Sequence, residues 1–208
     1  MRKKGQVKPD QVSLKADTPK SFKISNIFLM LQEFIKHRPF HLYLDDKIYF
    51  VTASTLNKIN YFDSDLKKKI IKKRLLAASE KYKVRSFAWV ILSNHYHLLF
   101  QFKEKQKLAD FIGFVNGGSS FELNSLENKK RRKTWWNYWD NCIRDSKTFY
   151  RRFNYIHYNP VKHNYVKNCK DYKFSSYNYY LKKLGQSYMD SIFEAYPIID
   201  FTDKNDRF

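Results

Sequence analysis

Polar and apolar residues alternate most cleanly between His95 and Phe102. Tyr96, Leu98, Phe100 and Phe102 fall on one face of an extended segment, and His95, His97, Leu99 and Gln101 on the other. Just before it, Val84 to Leu92 is apolar on both faces (Phe87, Ala88, Trp89, Val90, Ile91), which predicts a covered strand at a central position in a sheet. The Ser93-Asn94 turn dipeptide between the two is short enough for an antiparallel hairpin.

The remaining elements are read by the same periods. His41 to Ser54 predicts a strand, with Asp45-Asp46 as a turn within it. Asp63 or Ser64 caps a helix from about Asp65 to Lys83, whose Leu66, Ile70 and Leu75 recur among lysines. Lys107 to about Val115 starts a second helix that Gly117-Gly118 interrupts. Trp135 to Ile143 predicts a last strand, and Lys147 to about Tyr158 a helix stopped by Pro160. Residues 24 to 36 have the apolar spacing of a short helix. The order β-α-β-β-α-β-α is that of an α+β, ferredoxin-like split βαβ antiparallel sheet with an added C-terminal helix. Three regions follow: a basic N-terminal tail and short helix over 1–38, one domain over 39–183, and a C-terminal tail over 184–208.

Composition narrows the partners. Forty Lys and Arg against 20 Asp and Glu give a formal charge of +20, which draws polyanions and makes nucleic acid the first candidate. A solvated basic surface would have the same composition. The two cysteines form neither a disulfide framework nor a zinc pattern, so a reduced, cytoplasmic protein is expected. No apolar run reaches the length of a membrane span, and no membrane partner is expected.

Two short segments carry candidate chemistry. His95 and His97, two apart on a strand, point the same way and can reach one metal ion. A solvated sheet face would show the same pair. Tyr155 and Asn159, four apart on a helix, share one face. In a chain with 16 tyrosines they also fit an aromatic packing surface and a helix stop. Lys129, Lys130, Arg131, Arg132 and Lys133 precede Trp135, a juxtaposition that suits phosphates and stacked bases of a single strand. Arg151, Arg152 and Lys162 flank the tyrosine as further phosphate contacts.

His95-Tyr96-His97 resembles the HUH motif. Together with Tyr155-Ile156-x-x-Asn159-Pro160-Val161-Lys162 it resembles the REP-associated tyrosine transposases, relatives of small single-tyrosine insertion-sequence transposases. Trp89 to Asn94, Trp139-Asp140-x-x-Ile143-Arg144-Asp145 and Tyr172-x-Phe174-Ser175-Ser176-Tyr177 agree in order and spacing, so the similarity spans about residues 40 to 180. Ser93, Asn164 and Gly117-Gly118 depart from the family's usual proline, glycine and Lys-Gly.

The resemblance implies an HUH endonuclease-type fold whose C-terminal helix bears the nucleophile, Tyr155. It implies His95, His97 and Asn159 as ligands of Mg²⁺ or Mn²⁺. The implied activity is nicking and strand transfer of single-stranded DNA with hairpin repeats through a 5′-phosphotyrosine, by a monomer or homodimer. Two other readings are a domesticated, non-catalytic binder of hairpin DNA or structured RNA and a ribosome- or RNA-associated ferredoxin-like protein.

Overall fold

The computed structural model describes residues 48–102 and 108–198. These lie in one of two compact units of the chain, residues 41–208. The expected helix over 24–36, the start of the first strand and the end of the C-terminal tail lie outside the described residues.

Strands β1 (Ile48–Thr55), β2 (Val84–Ile91), β3 (His95–Phe102) and β4 (Trp135–Ile143) form one sheet in the order β2-β3-β1-β4, every neighbour antiparallel. With helices α1 (Asp65–Lys81) and α2 (Leu108–Leu126) in the two crossovers, this is the split βαβ order expected of the sequence. Ser64 caps α1, its hydroxyl accepting the Lys67 N–H. Helices α1 and α2 pack on each other beneath the sheet. Helix α3 (Ser146–Lys162) covers β2 and β3 and buries Phe149, Phe153 and Ile156; Asp145 caps it by accepting the Thr148 N–H at 2.7 Å.

Four expectations are corrected. Strand β2 lies at the sheet edge, not its centre. Its apolarity is explained by helices on both faces and by Phe174–Ser176, which lines its outer edge: Ile91 N–H donates to Phe174 O at 2.9 Å, and Ser176 N–H to Trp89 O at 2.9 Å.

Helix α2 runs through Gly117-Gly118 unbroken. A Cβ on Gly118 would lie 2.7 Å from Arg74 Nε, so the missing side chain lets α1 and α2 approach and Arg74 reach Glu122. That contact offsets the roughly 1 kcal/mol that a helical glycine costs.

Helix α3 continues past Pro160 to Lys162. Its end is a Schellman motif: Tyr165 N–H donates to Pro160 O and Asn164 N–H to Val161 O, with Asn164 in the left-handed region at φ 58°. Asparagine tolerates that conformation, which accounts for its place where glycine is frequent.

Finally, the stretch expected as a C-terminal tail carries helix α5 (Gln186–Ala195), reached through α4 (Tyr177–Leu184). Asn154 anchors α5 by donating to Ile192 O and Tyr196 O at 2.9 and 2.8 Å. No described helix is long and apolar enough to cross a membrane.

Candidate active site

The register of β3 places His95 and His97 on the face that α3 covers, and both are fully buried. Tyr155 and Asn159 occupy successive turns of α3 and point down onto that face; Tyr155 is 1% exposed and Asn159 0%. The structure brings the four together. His95 Nε2 lies 3.1 Å from Asn159 Oδ1, the His95 and His97 rings are 4.9 Å apart, and the His97 and Tyr155 rings are 5.3 Å apart.

Two residues that sequence reasoning passes over hold the imidazoles, and one of them sets a tautomer. Asn94 donates through Nδ2 to the Lys58 carbonyl at 3.1 Å, which turns its Oδ1 toward His95 Nδ1, 2.6 Å away. An acceptor at that distance requires Nδ1–H, so the His95 lone pair sits on Nε2 and faces Asn159 Oδ1. Thr52, opposite His97 in the β1–β3 register, holds His97 Nδ1 at 2.8 Å and leaves Nε2 as the nitrogen not used in that bond. Asn94 carried a signal as the turn residue joined to His95. Thr52 carried none, because only the strand register puts it beside His97.

Burial, followed by repulsion from His97 and His163, holds His95 well below the usual imidazole range. Burial, followed by repulsion from His163, Arg152 and Lys162, does the same for His97. Both rings are therefore neutral near pH 7, as a metal ligand must be.

These donors fit a divalent cation. With a lone pair on Nε2 facing one on Oδ1, a cation between them would satisfy both. Two donors each about 2.1 Å from a common octahedral ion lie about 3.0 Å apart, close to the observed separation. Among the described residues no group of three His, Cys, Asp or Glu is placed to hold a metal, so a metal here would rest on two imidazoles and an amide. That set suits first-row ions such as Mn²⁺ better than Mg²⁺ and leaves positions for anionic oxygen.

The basic candidates divide. Lys162 Nζ sits 5.0 Å over the Tyr155 ring and Arg152 Cζ 4.4 Å over Phe50, whose ring stacks on His97. Arg151 lies half-buried one turn before Tyr155. Lys129, Lys130, Arg131 and Lys133 are exposed. Their run enters β4 at the sheet end that holds the Asn94 turn, since Leu56 N–H donates to Thr134 O and Thr55 N–H to Asn94 O. Arg132 is committed elsewhere, ion-paired with Glu127 and stacked on Tyr61.

Trp135 is not available for stacking. It is buried against Phe62 and Tyr96, with its indole N–H donating to Ser119 Oγ at 3.0 Å. A register shift between Ser54 and Thr55 turns it to the α1–α2 side. Trp136, 57% exposed with Lys133 over its ring, is the accessible indole of the pair.

Residues 45–159 match the family described as IS200-like transposases. A REP-associated tyrosine transposase of Haemophilus influenzae is 34% identical over 109 residues, covering 48% of this chain and 62% of that protein. One of Escherichia coli is 30% identical over 99 residues, covering 44% and 53%. The chain thus spans between about half and three fifths of the length of these curated relatives. A solved structure of a REP-associated tyrosine transposase bound to a REP hairpin superposes with a TM-score of 0.61 at 19% identity, covering 80% of this chain and 94% of that one. The likeness supports the HUH-type fold.

Proposed function

This chain belongs to the IS200-like transposase family, and we propose that it nicks and rejoins single-stranded DNA through a covalent tyrosine. Tyr155 is the nucleophile. Its phenolic oxygen attacks the scissile phosphorus, the P–O3′ bond breaks, the 3′ oxygen leaves as a hydroxyl, and the 5′ phosphate remains on Tyr155. A 3′-hydroxyl of the same or another strand reverses the step. One phosphodiester replaces another, so no nucleotide cofactor is consumed.

His95, His97 and Asn159 would hold Mg²⁺ or Mn²⁺, which when bound polarises the scissile phosphate and aligns the attacking and leaving oxygens. The chain's own residues do the rest. Asn94 fixes the His95 tautomer, Thr52 holds the His97 ring in place, Arg152 and Lys162 offset phosphate charge beside Tyr155, and α3 excludes bulk water from the phenol. The proposed partner is single-stranded DNA presented beside a hairpin repeat; the superposing structure is described as bound to a REP hairpin.

The observation that carries this reading is the approach of His95 Nε2 to Asn159 Oδ1 at 3.1 Å with the Tyr155 ring 5.3 Å from His97. Its test is incubation of the chain with labelled hairpin-flanked single strands and Mn²⁺, followed by a denaturing gel. Wild type should retain label on protein, and Tyr155→Phe should bind DNA yet lose the adduct. An adduct that persists in the Phe variant overturns the assignment.

A further inference from the structure

Helix α3 covers β2 and β3 but not β4. The site face of the sheet therefore changes character along one row. His97 pairs with Thr52, and Thr52 pairs with Trp139, so the three share a face and a line across three strands. His97 is fully buried, Thr52 is 7% exposed, and Trp139 is only half-buried. Alternation along β4 agrees: Tyr138, paired with Ala53, belongs to the opposite face. Trp139 thus lies two strand spacings from His97, about 10 Å. Nothing in the chemistry proposed for Tyr155 uses it.

The surroundings of Trp139 differ from those of Tyr155. Its same-face neighbours along β4, Asn137 and Asn141, are exposed neutral amides. A cation lies on the β1 side: Arg152 hangs from α3 over Phe50, which pairs with Asn141. An indole set between two amides along β4, with a guanidinium on the β1 side of the row, matches one strand of nucleic acid lying across it. Phosphates face the cation, a base lies on the ring, and base edges meet the amides.

On this basis, and resting on the reading of Tyr155 as the nucleophile, we infer that Trp139 is the stacking platform for a base flanking the scissile phosphate. Asn137 and Asn141 read that base or its neighbour. The occupant is single-stranded DNA, because a paired base offers its face to its own stack. A strand held this way reaches the phenol at a fixed offset, which makes β4 a determinant of where the chain cuts.

The test uses the full chain with Trp139→Ala and Trp139→Phe. Both substitutions sit on a half-open strand, and thermal melts check that each variant folds. Fluorescence anisotropy gives affinity for labelled single strands, and 2-aminopurine placed along the strand reports stacking. Trp139→Ala should weaken single-strand binding about tenfold and abolish the quenching of 2-aminopurine at one position, with Phe retaining most of both. A folded Ala variant that binds and quenches like wild type overturns the inference. Binding is read without chemistry, so a wild type that stacks the base yet leaves no adduct refutes the role of Tyr155 and leaves that of Trp139 standing.

Discussion

His157 Nε2 lies 2.7 Å from Ser176 Oγ, and the same hydroxyl accepts the Trp89 N–H at 3.0 Å. One buried oxygen thereby joins α3 to both the edge strand β2 and the segment lining it. His157 is two residues from Tyr155 and on another side of the helix, where it packs on Phe153, Tyr177 and Tyr180. It fixes the rotation of α3 that turns Tyr155 and Asn159 toward His97 and His95. Ser176→Ala leaves His157 Nε2 and the Trp89 N–H without that partner, and should cost about 1–3 kcal/mol in urea denaturation. A change below about 0.5 kcal/mol would contradict this clamp.

The same histidine makes stability pH-dependent. Burial pushes His157 down to about 3 from the 6.5 of an exposed imidazole, so the unfolded chain binds the proton more readily. Its contribution is complete above pH 6.5 and is lost as pH falls toward about 3. Urea midpoints measured from pH 7 to pH 4 should fall, and fall less steeply in His157→Gln. Parallel curves would contradict a neutral buried ring.

In the proposed metal site Asn94 would act on the ion through His95. Asn94→Ala frees the ring to take the other tautomer and should weaken Mn²⁺ binding about 10- to 100-fold by calorimetry, with little change in melting temperature. Unchanged affinity would show that the Lys58–Asn94–His95 chain does not set the ligand.

Two adjacent glycines should respond differently to alanine. A Cβ at Gly117 meets nothing within 4 Å, so Gly117→Ala should stabilise by about 0.5–1 kcal/mol through helix propensity. At Gly118 the same gain is offset because the methyl group displaces Arg74 from Glu122. Equal gains at both positions would contradict the close approach of α1 and α2.

Much of this was legible from local periods. The alternation from His95 to Phe102 set the strand, its faces and the hairpin with β2, and the order of elements set the sheet. Features that depend on long-range contact were not legible. The glycine pair looked like a helix break because Arg74, 44 residues upstream of Gly118, is what compensates it. Pro160 looked like a stop, yet it lies in the last turn of α3, where its own carbonyl accepts the Tyr165 N–H of the Schellman motif. Trp135 looked like a nucleic-acid contact, yet the register shift opposite Ser54 and Thr55 buries it and leaves Trp139 on the site face. The four residues of the candidate site could be named from a motif, but the second layer, Thr52 above all, exists only through strand register.

In the proposed reaction the Tyr155 oxygen becomes the ester oxygen of a 5′ phosphate. Mass spectrometry of the proteolysed, nuclease-trimmed protein–DNA adduct measures this directly. The expected result is a nucleotide attached through its 5′ phosphate to the peptide containing Tyr155, and at that side chain. A nucleotide on any other residue, such as the neighbouring Tyr150 or Tyr158, would contradict it.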